Sequence, residues 1–135
     1  MDKISPQRRS ANMRAIRSKG TKPEILVRRL AHSLGFRYRL HRKDLPGKPD
    51  LAFISRRKAI FVHGCFWHQH AGCPEGKIPA SNVAYWGPKL ARNGERDRKN
   101  ESVLCEAGWN VLTIWECETA ETDELAVRVQ LFLEG

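Results

Sequence analysis

From Phe61 to Cys73 the chain reads Phe-Val-His-Gly-Cys-Phe-Trp-His-Gln-His-Ala-Gly-Cys. His63, His68 and His70, Cys65 and Cys73, and the rings of Phe66 and Trp67 crowd one short segment behind an apolar run. Such a mixture packs poorly as a core and suits a site. Histidine is the side chain most easily tuned for proton transfer near neutral pH, and cysteine with histidine is the usual ligand set of zinc. Cys65, His70, Cys73 and the distant Cys117 make a Cys3His set, the four ligands that a tetrahedral zinc takes. No position is left for water, so the site reads as structural, tying two strand ends to the loop between them. Cys105 falls inside a helical stretch and reads as a plain buried thiol.

Asp50, His63 and His68 remain once zinc is served. The chain holds 24 Lys and Arg against 15 acids, a net charge of +9. That excess favours a polyanionic partner, above all nucleic acid. Hydrolysis of a phosphodiester calls for a divalent ion to offset developing charge and a base to activate water. Asp50 suits a hard Mg2+ ligand. His68 or His63 suits the base, and Asp97 could orient it by accepting its other ring N–H. Each residue alone has a plainer explanation, since an acid after proline is often a turn residue. Their convergence with basic charge and a stiffened loop is what points to a site.

The elements that must position these groups can be read in order. Met1 to Gly20 is basic, and a short helix is expected from about Ser10 to Arg17, with Met13 and Ile16 on one face. Thr21-Lys22-Pro23-Glu24 is a helix start, with Glu24 placed as a capping residue. Val27, Leu30, Ala31 and Leu34 follow helical spacing, and Gly35 stops the run. Strands are expected over Phe36 to Leu40, Asp50 to Ile54 and Ala59 to Val62. The last two form a hairpin that brings Asp50 and His63 to one sheet edge. Pro74 to Pro88 reads as loop and carries Tyr85 and Trp86. A polar helix follows over Lys89 to Ala107. Trp109 to Trp115 reads as a central strand, and Thr122 caps a last helix that turns Leu125, Val129 and Phe132 inward.

This order gives an α/β (α+β) domain with one central mixed sheet flanked by helices. We expect a basic segment, 1–20, and a single domain, 21–135, of a size for one core. No apolar run is long enough to cross a bilayer, and no apolar leader opens the chain. A cytoplasmic monomer is therefore expected, with metal binding rather than disulfides for its cysteines.

Several blocks together closely resemble one family. They are Ser10-Ala11-Asn12-Met13-Arg14-Ala15-Ile16, Leu45-Pro46-Gly47-Lys48-Pro49-Asp50, His63-Gly64-Cys65-Phe66-Trp67-His68, Glu95-Arg96-Asp97-Arg98, Gly108-Trp109-Asn110-Val111-Leu112 and Trp115-Glu116-Cys117. In order and over nearly the whole chain, they resemble the very-short-patch (Vsr) mismatch-repair endonucleases. The resemblance implies a zinc-containing restriction-endonuclease-like fold and a bacterial, nucleoid-associated DNA repair nuclease. Such an enzyme is Mg2+-dependent and nicks one strand, 5′ to the T of a T:G mismatch left by deaminated 5-methylcytosine. Other mismatch-repair proteins are candidate partners. By the family's motif, Asp50 binds Mg2+ together with the backbone carbonyl of Val62. His68 is the base with Asp97 as its partner, His63 sits beside the scissile phosphate, and Glu24 falls near the metals. Phe66, Trp67 and Trp86 wedge into the base stack, while Met13, Arg14 and Ile16 contact DNA from the N-terminal segment. The wider superfamily has Glu-x-Lys where Phe61-Val62-His63 stands here, so the chemistry must lean on histidine. The alternatives are a related nuclease of other DNA specificity and a non-catalytic, zinc-stabilised DNA-binding module.

Overall fold

The computed structural model describes residues 21–68, 70, 73 and 83–135. The expected helix over Ser10 to Arg17, the contacts of Met13, Arg14 and Ile16, and the whole 1–20 segment lie outside them. The first helix, α1 (Lys22–Ser33), begins as its sequence requires: the Thr21 hydroxyl accepts from the Glu24 N–H at 3.5 Å, and Pro23 occupies the first turn. Val27 and Ala31 are fully buried. Gly35 adopts φ +89, as a left-handed helix stop does.

The described strands are β1 (Arg39–Leu40), β2 (Leu51–Phe53), β3 (Lys58–His63) and β4 (Asn110–Trp115), in the sheet order β1-β2-β3-β4. The first two pairings are antiparallel and β3 with β4 is parallel. The first strand is shorter than the alternation suggested. Tyr38, just before it, packs edge-on to Phe53 at 6.0 Å. A 3-10 turn, Ile54–Arg56, and a left-handed Arg57 at φ +52 close the β2–β3 hairpin. The expected central place of Trp109 to Trp115 is corrected: among the described strands β4 lies at an edge, with β3 its only partner. A run rich in β-branched and aromatic residues announces a strand, but an amphipathic edge can carry the same composition.

Alternation along β3 divides the two faces of the sheet. Ile60 joins Val27, Ala31, Leu51, Phe53, Ile114, Leu125, Val129 and Leu133 in one core, with Val62 packed against it. The helices of this layer are α1 and α3 (Thr122–Glu134). Burying one such aliphatic side chain contributes on the order of 2 kcal/mol. In α3 it is Leu133 rather than Phe132 that is fully buried, and Phe132 packs half-buried at the margin. Glu121, not Thr122, holds the N-cap position of that helix. Lys58 is buried at the other end of it. Its Nζ donates to the carbonyls of Phe132, Leu133 and Gly135 at 2.5, 3.2 and 2.6 Å, the charge that a helix C-terminus favours.

Phe61 and His63 face the other way, toward α2 (Val83–Glu106). This helix starts six residues earlier than the sequence suggests and runs through Pro88. A proline is tolerated near a helix start, where few intrahelical bonds are lost. Leu90 and Leu104 are fully buried and Asn93 is 7% exposed, with Asp97 on the same stripe. Gly47, at φ +75, presses the Leu45–Pro49 loop onto this layer. A Cβ there would come within 3.0 Å of Asn100 Cβ and 3.1 Å of the Phe61 ring.

Candidate active site

The hairpin delivers the first two groups. Leu51 pairs with Ile60, so Asp50, one residue before β2, stands beside the end of β3. Its Oδ2 accepts the Val62 N–H at 2.7 Å. A residue's N–H and C=O leave an extended strand on the same side, so the Val62 carbonyl faces the Asp50 side while its side chain goes to the core. Burial drives the Asp50 carboxyl up to about 7, against the Val62 N–H, with the Glu24 charge adding to the rise.

His63 ends β3, and the chain then folds back. His68 N donates to Gly64 O at 3.1 Å and His70 N to Cys65 O at 3.0 Å. This turn lays the His68 ring on His63, centroids 3.8 Å apart and 7° from parallel. His68 Nδ1 bonds Asp97 Oδ2 from α2. One helical turn earlier, Asn93 Nδ2 donates to Trp67 O at 3.2 Å. Asn93 and Asp97, i and i+4, thus clamp the histidine turn to one helix face. The aspartate fixes the Nδ1–H tautomer and leaves Nε2 of His68 as the acceptor. Burial lowers His63 to about 3, with the His68 charge adding to it, which favours a neutral imidazole near pH 7.

Glu24 does not act through its side chain as a cap. It is 3% exposed, and its Oε2 takes Arg28 NH2 and, at 3.0 Å, His41 Nε2. His41 and Arg28 were not singled out from the sequence. The signals for them were the i, i+4 spacing of Glu24 and Arg28, and the pairing of Leu40 with Leu51, which sets His41 opposite Asp50. Glu24, Asp50, Val62, His63, His68 and Asp97 all line one cleft of about 710 Å³.

Cys65, His70, Cys73 and Cys117 converge, with ligand atoms all within 4.8 Å of one another. His70 Nδ1 lies 3.7 Å from Cys65 Sγ and 3.4 Å from Cys117 Sγ. A tetrahedral zinc with ordinary bond lengths sets sulfur and nitrogen about 3.6 Å apart, so the donors fit such an ion. None of the four forms a disulfide. Burial pushes the Cys65 thiol up to about 12 and raises Cys117 as well, and a bound cation would favour the thiolate form of both. Trp115 stacks on His70, 4.3 Å and 8°, and meets His63 edge-on at 5.3 Å. The cysteine-histidine cluster and the histidine stack therefore share one strand end. Cys105 is exposed, contrary to expectation, because it falls on the solvent side of α2.

Phe66, Trp67 and Trp86 gather in one cluster, with centroid distances of 5.0 to 5.6 Å. Trp67 is only 7% exposed. It forms the base of the cluster, while Phe66 and Trp86 are half-buried. Lys89 Nζ lies 5.6 to 5.9 Å from the ring centres of Trp67, Tyr85 and Trp86.

Among known proteins, the family described as "DNA mismatch endonuclease Vsr" matches residues 1–73. The type II nicking enzyme V.XorIIP of Xanthomonas oryzae is 50% identical over 133 residues, 98% of this chain and 97% of its own. The DNA mismatch endonuclease Vsr of Escherichia coli is 42% identical over 117 residues, 87% of this chain and 74% of its own. Among solved structures, the catalytic domain of the homing endonuclease I-Bth0305I superposes with a TM-score of 0.58 at 23% identity. That match covers 84% of this chain and 94% of that domain, and it supports the restriction-endonuclease-like fold. The chain belongs to the Vsr family of DNA mismatch endonucleases and is a DNA endonuclease.

Proposed function

We propose that this endonuclease nicks one strand of duplex DNA, 5′ to the T of a T:G mismatch, in a Mg2+-dependent reaction. The observation that carries the reading is the gathering, in one cleft, of Asp50 with a His68–Asp97 pair stacked on a neutral His63. Asp50 and the carbonyl of Val62 would hold the cation, which offsets charge on the phosphate and the leaving oxygen. Oxygen donors of this kind suit a hard ion.

His68 Nε2 takes a proton from the attacking water, and Asp97 stabilises the imidazolium that forms. His63, uncharged, lies against that imidazolium without like-charge repulsion, and its ring N–H donates to the phosphate. Water attacks phosphorus as the bond to the leaving sugar oxygen breaks. General-base action of this sort contributes typically 10²–10⁴-fold. The net charge of +9 draws the duplex in. Phe66 and Trp86, seated on Trp67, supply an apolar wedge for the base stack, with Met13, Arg14 and Ile16 as the N-terminal contacts. Zinc on Cys65, His70, Cys73 and Cys117 serves structure, since its four positions are filled. No helix among the described residues is long and apolar enough to cross a membrane, and we place the enzyme in the bacterial cytoplasm with its DNA.

A strand-resolved assay tests this reading. T:G and matched duplexes in several flanking contexts are incubated with the protein, with and without Mg2+. The expected product is one nick, in the T strand, with Mg2+ only. Equal cutting of matched duplex, or cutting of both strands, would contradict the mismatch assignment.

A further inference from the structure

His41 lies between the two carboxylates of the cleft. Its Nε2 is 3.0 Å from Glu24 Oε2 and its Nδ1 is 3.8 Å from Asp50 Oδ1. The strand pairing fixes this placement: the His41 N–H donates to the Asp50 carbonyl at 3.3 Å, directly beyond the Leu40–Leu51 pair. The side chain is 14% exposed, so the ring is enclosed between its partners.

The tautomer follows from the neighbours. Glu24 Oε2 accepts from Arg28 NH2 and also faces His41 Nε2. The 3.3 Å between Arg28 NH2 and His41 Nε2 is the separation of two donors that converge on one oxygen. With its proton on Nε2, His41 turns a bare Nδ1 lone pair toward Asp50. The 3.8 Å gap is too long for a hydrogen bond. Two donors bound at about 2.1 Å to one cation stand between about 3 and 4 Å apart. Glu24, His41 and Asp50 each bring a ligand atom within 4.8 Å of the others. A histidine that binds a metal through one nitrogen characteristically gives its other N–H to a carboxylate, and the Glu24–His41 pair has that form.

We propose that His41 Nδ1 is a nitrogen ligand, beside Asp50, of the divalent cation in this cleft, with Glu24 the carboxylate that orients it. This rests on the reading of Asp50 as a cation ligand. An imidazole in the set widens the class of ion accepted, because nitrogen donors favour first-row transition metals over Mg2+. The site therefore takes Mn2+ more tightly than Mg2+.

The test uses the full chain, zinc-loaded and without DNA, with Mn2+ as the probe. Electron paramagnetic resonance follows Mn2+ binding, and pulsed measurements detect a directly bound nitrogen. Wild-type protein is expected to give that nitrogen signal and to prefer Mn2+ in competition with Mg2+. His41→Ala should abolish the signal and weaken Mn2+ binding about ten- to a hundredfold. Glu24→Gln should weaken binding and keep the signal. A nitrogen-free Mn2+ spectrum in the wild type would overturn the proposal, and needs no variant to fold. A signal that survives in His41→Ala would do the same. Asp50→Asn separates the two readings. If it leaves Mn2+ affinity unchanged, the assignment of Asp50 fails first. If it removes binding while His41→Ala behaves as wild type, the role of His41 alone fails.

Discussion

Asp50→Asn should make the cation-free protein more stable, and increasingly so as pH rises. Burial and the neighbouring Glu24 raise the Asp50 carboxyl from 3.8 to about 7. A carboxyl whose folded pKa is raised holds its proton better in the folded chain. Its stability contribution is complete below pH 4 and is lost as pH rises through about 7. Three units correspond to about 4 kcal/mol at most. The side chain keeps 20% of its exposure, and solvent screening lowers that figure. Between pH 5.5 and 8.5 the penalty on the wild type grows by about 2 kcal/mol. Asparagine cannot ionise, and its carbonyl still accepts the Val62 N–H. Urea unfolding of both zinc-loaded proteins, followed by tryptophan fluorescence at pH 5.5 and 8.5 without Mg2+, measures the difference. The variant's advantage should grow by about 2 kcal/mol across that interval. Saturating Mg2+ at pH 8.5 should erase it, because a ligand at a hundred times its Kd stabilises the wild type alone by about 2.7 kcal/mol. Parallel pH profiles, or equal stabilisation of both proteins by Mg2+, would refute the reasoning.

Asp97→Asn, which keeps the shape but loses the charge that holds the His68 imidazolium, should lower the single-turnover nicking rate on the order of a hundredfold or more, with duplex affinity unchanged in a binding titration. Cys117→Ser should reduce bound zinc below one equivalent by elemental analysis and cost several kcal/mol of stability, since the free energy of binding a structural metal adds to that of folding. Trp86→Ala should weaken discrimination between T:G and matched duplex by about 1–3 kcal/mol, a stacking-sized loss. It tests the wedge better than Trp67→Ala, because Trp67 is buried beneath the other rings and its truncation also opens a cavity.

The parts of this molecule written in local pattern are legible in the sequence. Thr21 and Glu24 mark the start of α1. The β2–β3 hairpin, with Asp50 and His63 at one edge, follows from two apolar runs and a tight connection. The convergence of Cys65, His70, Cys73 and Cys117 follows from their chemistry, although Cys117 lies far along the chain. What long-range packing decides was not legible. The Trp109–Trp115 run announces a strand but not its place at the sheet edge. Gly87-Pro88 reads as a break, yet α2 runs through it, with Lys89 set over the rings of Trp67, Tyr85 and Trp86. Glu24 looked like a cap because its spacing from Thr21 is right. Its burial beside Arg28 and His41 reassigns the carboxylate. His41 falls in the polar connection between two expected strands. Only the register that pairs Leu40 with Leu51 brings it to Asp50. Cys105 illustrates the same limit, since a helical thiol can face either way and this one faces solvent.

The most direct test is the single-turnover nicking rate of a T:G duplex by His68→Ala, with binding measured in the same samples. Loss of the imidazole that Asp97 orients should slow nicking by at least about a hundredfold while the Kd for the duplex stays within about threefold of wild type. An unchanged rate at full occupancy would show that the proton is taken elsewhere, and the histidine stack in the cleft would lose its assigned part in the chemistry.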